Sequence, residues 1–322
     1  MLTGNPAPMP TISVPANPLP GVPVVESPFF EVLARDFAGD PELLRIARDL
    51  HRDGYAVFDF PDPAFGARAA ALKRDLDRHY DWPQWRANGG GMRIHDAWKF
   101  HPDARALATN PRIVELLSRL YGRRAFPFQT LNFPVGTEQH YHSDSIHFSS
   151  APERFMCGVW VALEDVHADA GPLLYYPGSH KWPIYTHEHL GLCAAQQPGI
   201  PGQATFEPLW RELVALSGIT PQRFLPRKGQ ALIWAANLLH GGDVHRDRTR
   251  TRHSQVTHYY FDDCTYYTPM HTDPFYGSIA YRRLVDISTG RDVPNQCGGY
   301  PVADAFIDQV QWKPKLPPAP PA

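Results

Sequence analysis

The feature that most constrains this chain is a change of pattern near residue 125. From there to about residue 262 it is a succession of short runs rich in aromatic and β-branched residues: "FPFQTLNF", "RFMCGVWVALEDV", "PLLYYPGSH", "GQALIWAANLLH" and "HSQVTHYYF". Runs of this kind read as the strands of a β-sandwich or barrel. Before them, from about residue 29 to 121, apolar residues recur at helical spacing. "DPELLRIARDLHRDG" offers Asp40 as a cap, Pro41 in the first turn and Gly54 as a stop, and "PRIVELLSRLYG" again ends on a glycine. One short strand, "YAVFDF", lies between. The expected architecture is mostly β with α: a β-core at about 125–262, supported by helices on its N-terminal side.

The 34 prolines crowd residues 1–28 and 313–322. Repeated loss of backbone donors argues against helix or sheet there, so both ends are expected to be extended or mobile, leaving a single domain over 29–312. Inside the β-core, residues 181–227 form a long interruption in which "FEPLWRELVALSG" looks helical. A long insertion in a β-core is more often a functional lid or wall than a plain connector. No internal repeat of fixed period is present.

With 43% of its residues hydrophobic and 12% aromatic, a chain of 322 can bury a sizeable core. Its formal net charge of -2 and lack of long single-sign runs give no electrostatic reason to expect nucleic acid or an anionic membrane as partner. A small molecule is the expected partner. Cys157, Cys193, Cys264 and Cys297 are widely spaced, contain no Cys-x-x-Cys and are too few to staple the chain, which fits a reducing compartment. The N-terminus lacks the charged start and apolar stretch of a secretory signal. No window approaches the length of apolar sequence that spans a bilayer, so the reading is a soluble cytoplasmic protein.

The chemistry concentrates in "EQHYHSDSIHFSS", residues 138–150, where His140, His142 and Asp144 are spaced by two. An extended strand would turn all three to one face. His-x-Asp nevertheless occurs seven times among sixteen histidines, so the motif alone selects nothing. Of its rivals, those at His51 and His79 fall near helix ends, that at His167 lies in the turn-like "HADAGP", and those at His245 and His271 sit in polar loops; another begins at His101. These read as surface or turn residues.

Three stretches in order, "HYHSD", "GVWVALEDVHADAGPLLYYPGSHK" and "GQALIWAANLLHGGDVHRDRTRTRHSQVTHYYF", resemble the phytanoyl-CoA dioxygenase family of iron(II)- and 2-oxoglutarate-dependent oxygenases. The resemblance covers roughly 126–261, with weaker similarity in the helical part before it. It implies a double-stranded β-helix, a jelly-roll, cupin-like core. It also implies that His142, Asp144 and the later His240 of "LLHG" form a two-His-one-carboxylate set for iron(II) that leaves positions open. The family motif aligns with "HSD" and leaves His140 outside, packed beside the site.

A 2-oxoglutarate co-substrate needs a cation for its distal carboxylate, and a guanidinium can hold one with two parallel hydrogen bonds. Of Arg246, Arg248, Arg250 and Arg252, the last begins the "RHSQVTHYYF" strand, six residues before the His-Tyr pair, as the binding arginine does in the family. One extra residue in this loop keeps Arg250 as a competitor. Ser254 faces the same side as Arg252 and offers a hydroxyl, and Gln129 resembles the family's polar residue on an early core strand. Trp160 and Trp234 read as packing residues.

The implied reaction consumes O2 and 2-oxoglutarate, releases succinate and carbon dioxide, and hydroxylates a small-molecule carbon. Related halogenases carry a small residue where this chain has Asp144, which favours hydroxylation while leaving desaturation or ring formation open. Two other classes compete. A non-redox cupin-like isomerase or hydrolase using zinc would not need Arg252, and cupin motifs place a glutamate shortly after His-x-His where this chain has none. An inactive binding module predicts loss of a ligand or of the anchor, and none is missing. Membership narrows the reaction and not the molecule, and no basic cluster marks a nucleotide-phosphate grip.

Overall fold

The structure is a computed structural model that describes residues 16–192, 202–274 and 277–309. Residues 1–15 of the first proline-rich stretch, the tail 313–322, Cys193 and part of the 181–227 interruption lie outside the described residues.

Helices α1 (Phe30–Leu33), α2 (Pro41–Asp53), α3 (Phe65–Leu76), α4 (Trp82–Asn88), α5 (Pro102–Ala108) and α6 (Pro111–Tyr121) precede the β-region, and α7 (Glu207–Ser217) falls within the interruption. α2 forms as its sequence dictates. The Asp40 carboxylate accepts from the Leu43 N–H at 3.0 Å, and Gly54 ends the helix in the left-handed region at φ 82°. Leu43, Ile46, Ala47 and Leu50, spaced along one face, are the residues it buries.

Strands β1 (Tyr55–Asp59), β2 (Ile94–His95), β3 (Ala125–Phe133), β4 (Ser149–Ala151), β5 (Met156–Ala162), β6 (Leu173–Tyr175), β7 (Gln222–Phe224), β8 (Gln230–Ala235), β9 (His240–Gly242), β10 (Ser254–Phe261) and β11 (Thr265–Tyr267) supply the core. A large antiparallel sheet has the order β1-β8-β5-β10-β3-β2, and a small one the order β7-β6-β9; β4 pairs with β11. The five expected runs all contain strands. The large sheet also recruits β1 and β2 from the helical region, because β8 and β3 each have a free edge that these strands satisfy. The end of the 181–227 interruption is itself β-core, since β7 pairs with β6.

The large sheet is covered on both faces. On one, Phe30, Leu43, Leu72 and Leu117 from the helices pack with Val159, Ile233 and Tyr259. On the other, Leu131, Trp160, Leu232 and Val256 meet Leu173, Tyr175 and Phe224 of the small sheet. The Trp160 and Phe224 rings touch edge to face at 5.5 Å. β10 shows the alternation that makes this possible. Val256 joins the cluster between the sheets, whereas the neighbouring Gln255 amide donates to Ala104 O at 3.0 Å and the Tyr259 hydroxyl to Ala108 O at 2.7 Å, both on α5. The pairing of β10 with β3 shifts between His258 and Tyr259, leaving Phe128 unpaired as a bulge.

Among the described residues, Cys157, Cys264 and Cys297 are free thiols, and no helix is long and apolar enough to cross a membrane.

Gly54 shows how closely the layers meet. A Cβ there would stand 2.4 Å from Nδ1 of His180, so both its backbone angle and its neighbour require glycine. His180 is buried: its Nε2 faces His51 O at 3.3 Å, and its Nδ1 has no partner among the described residues. Burial pushes the His180 pKa down from 6.5 to about 4. Between these values the unfolded chain binds a proton that the folded one refuses, so this group's contribution is complete above pH 6.5 and is lost as pH falls. Relative to His180→Gln, the unmutated protein should lose up to about 1.4 kcal/mol per pH unit over that interval. Urea unfolding at pH 7, 5.5 and 4.5 measures it; parallel pH profiles for the two proteins would contradict this assignment.

Candidate functional site

The metal-ligating residue types converge where the loop after β3 meets β9. His142 and His240 exchange two backbone hydrogen bonds, N–H to O at 2.9 Å and 3.0 Å, which sets their rings 4.6 Å apart between centroids. Asp144 follows at the first position of a 3-10 turn, Asp144–Ile146. The stretch is therefore not a plain strand: Ser143 is extended and Asp144 turns, capped by the Ser143 hydroxyl accepting from the Ser145 N–H.

One ligand atom from each of His142, Asp144 and His240 lies within 4.8 Å of the other two, and all three residues are buried. Nδ1 of His142 is 3.0 Å from His140 O, and Nδ1 of His240 is 3.0 Å from Leu238 O. A carbonyl only accepts, so each Nδ1 carries the proton and each Nε2 turns a lone pair inward, the orientation a metal-binding histidine adopts. These Nε2 atoms stand 3.6 and 3.7 Å from the two Asp144 oxygens. Burial holds His240 down at about 4. Lone pairs facing a buried carboxylate are electrostatically incomplete, and a cation between them completes the set.

The same residues line a cavity of about 260 Å³. Arg252 forms part of its wall and is 3% exposed. Its guanidinium reaches Val135 O at 3.3 Å and lies 5.6 Å from the Trp160 ring centroid, but among the described residues it has no carboxylate partner and its Nε is unpaired. Burial with no counter-charge pushes its pKa down to about 10. Two residues on, Ser254 is wholly buried with a hydroxyl that has no partner among the described residues, although it is not on the cavity wall itself. An unpaired buried cation beside the triad fits an anionic ligand. Arg250, by contrast, is 45% exposed and pairs with Asp247 at 2.9 Å. Gln129 does line the cavity, with its Oε1 3.0 Å from Nδ1 of His258.

His140 does not share the face of His142. Its Nε2 accepts from Nε of Arg211 on α7 at 3.1 Å, and its Nδ1 lies against Tyr141 O at 2.7 Å. The rival His-x-Asp pairs have local work. The ring nitrogens of His101 and His167 each accept from the backbone N–H two residues on at 3.2 Å, and His245 Nε2 meets Asp247 O at 3.0 Å.

Three residues have more contact with the site than their sequence positions revealed. Trp234, read as packing, also donates its indole N–H to Asp144 Oδ2 at 2.8 Å. His258 places Nε2 3.6 Å from that same oxygen. Its signal was the alternation of β10, which puts it on the face of Arg252 and Ser254. Gln203, from the interruption, reaches the cavity wall and accepts from Gln139 Nε2 at 3.1 Å and from His147 Nε2 at 3.2 Å. Behind it, Phe206 and Trp210 pack on Ile146, Tyr176 and Leu239, so this segment walls the cavity.

A family model described as "Phytanoyl-CoA dioxygenase (PhyH)" matches residues 32–254. Among solved structures, the non-heme alpha-ketoglutarate-dependent carbocyclase SnoK from nogalamycin biosynthesis is similar at 19% identity and a TM-score of 0.52, over 68% of this chain and 84% of that one. The epimerase SnoN, in complex with Fe3+, alpha-ketoglutarate and nogalamycin RO, is similar at 22% identity and a TM-score of 0.52, over 82% of this chain and 97% of that one. These likenesses establish the jelly-roll fold. No curated protein sequence matches the chain significantly.

The hydrogen bonds of Gln203 predict that Gln203→Ala loosens the wall without unfolding the core. Amide exchange across 202–217 should quicken while global stability falls by about 1 kcal/mol, the net worth of an ordinary hydrogen bond. Unchanged exchange would mean that Phe206 and Trp210 hold the wall unaided.

Proposed function

Because the chain belongs to the phytanoyl-CoA dioxygenase family, we propose that it is an iron(II)- and 2-oxoglutarate-dependent dioxygenase that hydroxylates an unactivated carbon of a small-molecule substrate. The observation that carries this reading is the pairing, in one cavity, of the His142, Asp144 and His240 cluster with a buried arginine that lacks an anionic partner among the described residues. A zinc isomerase or hydrolase of the same fold would have no use for that arginine. The reported complex of SnoN with Fe3+ and alpha-ketoglutarate supports the same cofactor pair for this chain.

In this reading His142, Asp144 and His240 hold the metal, through the two inward Nε2 atoms and the carboxylate. Bound iron(II) supplies the activation of O2, coupled to oxidative decarboxylation of 2-oxoglutarate to succinate and carbon dioxide. Arg252 takes the distal carboxylate of the co-substrate, and its burial makes the pair strong because little water competes. Ser254 offers the unpaired hydroxyl beside it, and the amide of Gln129 remains able to donate while its oxygen faces His258. The wall built by Gln203, Phe206 and Trp210 limits water entry and presents the substrate. Asp144 occupies the place that a halide would need, which favours hydroxylation. The carbocyclase and epimerase among the structural neighbours make the product the feature to check. The free thiols support a reducing, cytoplasmic setting.

Anaerobic addition of iron(II) and then 2-oxoglutarate tests the cofactor pair through the weak visible charge-transfer band of the chelate. The band should need both additions. Arg252→Ala should demand about 10 to 100 times more 2-oxoglutarate, matching the roughly 1.5–3 kcal/mol of a charge-assisted hydrogen bond, with metal binding nearly unchanged. Asp144→Ala should keep the circular dichroism of the fold and lose iron-dependent succinate formation. Zinc held at the same residues, with no band from iron, would favour the non-redox reading.

A further inference from the structure

Four residues lie in one row across the large sheet. Trp234 on β8 is opposite Gly158 on β5, Gly158 is opposite His258 on β10, and His258 is opposite Gln129 on β3. The indole of Trp234 spreads over Gly158, where a Cβ would come within 2.1 Å of its Cζ2. Only a residue without a side chain lets the ring lie across the strand and aim its N–H at Asp144 Oδ2, 2.8 Å away. From further along the row, His258 brings Nε2 to 3.6 Å of the same oxygen, with its other nitrogen held at Gln129 Oε1. Oδ1 is 3.6 Å from Nε2 of His142, and Oδ2 is also 3.7 Å from Nε2 of His240, so the carboxylate faces both ligand histidines.

We propose that Trp234 is a positioning residue: its indole N–H, bonded to Oδ2, fixes the rotation of the Asp144 carboxylate so that it faces both His142 and His240 before a metal binds. This rests on the metal-binding reading above. A carboxylate restrained in this way gives up less rotational freedom when a metal binds, so the three ligands hold the ion more tightly. The restraint comes from a donor on an interior strand of the sheet, paired on both sides, whereas Asp144 itself stands on a turn. A hydrogen bond from a neutral indole also orients the carboxylate without adding charge that would compete with the cation.

The test uses Co(II), whose visible spectrum reports coordination without turnover, titrated into the metal-free full-length protein. Trp234→Phe removes the donor, and Gly158→Ala displaces it while keeping the tryptophan. Each should raise the Co(II) dissociation constant about 10 to 100-fold, the usual cost of losing a partner of a metal ligand, and should change the ligand-field spectrum. Should either variant fail to fold by circular dichroism, the benzothienyl analogue of tryptophan installed at position 234 decides, since it keeps the ring shape and lacks the N–H. Folded variants with the unmutated affinity and spectrum would overturn the proposal and leave Trp234 as packing. Failure of the unmutated protein itself to bind Co(II) would instead overturn the metal-binding reading, and this inference with it.

Discussion

The pair of backbone hydrogen bonds between His142 and His240 is the contact on which the rest of the site depends. It joins the loop that follows β3 to the first residue of β9, and β9 is in turn held by β6 in the small sheet. Because the two residues face each other directly, their side chains leave the backbone side by side. The Nδ1 protons are then committed to nearby carbonyls, so both inward nitrogens are ready acceptors for a cation before any ligand arrives. Losing that bridge would free the loop carrying Asp144 from the small sheet that carries His240, and the remaining distances would have no common frame.

Around this bridge the structure keeps two buried charges apart and unneutralised. Asp144 has an indole N–H and histidines around it, and Arg252 has one carbonyl and the faces of Phe133 and Trp160. Neither arrangement is what stability alone would select, since a buried charge without an ion partner costs free energy that close packing elsewhere must offset. Arg252 and Asp144 both line one cavity and form no ion pair with each other. That separation leaves room for a ligand that is cationic at one end of the site and anionic at the other, which is what a metal chelated by a dicarboxylate provides.

Much of the frame was legible in the residues. Asp40, Pro41 and Gly54 delimit α2 because capping and helix termination act over one turn, and the alternation of "HSQVTHYYF" marks β10 because a strand repeats every two residues. The family resemblance pointed to His142, Asp144, His240 and Arg252, and the fold brings these four to one cavity. The equal spacing of His140, His142 and Asp144 was less informative than it looked. The backbone turns at Asp144, and His140 leaves toward Arg211 on α7. Trp234 reads as packing in any local window because its polar atom finds its partner far away in the chain.

What the sequence determined by itself was local: where helices begin and end, which runs are strands, which faces are apolar, and which residue types are able to bind a metal or a carboxylate. Such properties follow from interactions within a few residues, so they can be read in order along the chain. The tertiary structure alone decided that Trp234, Gly158, His258 and Gln129 stand in one row, that β7 closes the small sheet, and that Gln203 reaches back to Gln139 and His147. These depend on strand register and on side chains that converge from distant segments. A shift of one residue in pairing turns a whole strand face over, and no local pattern in the chain states which register the packed core will select.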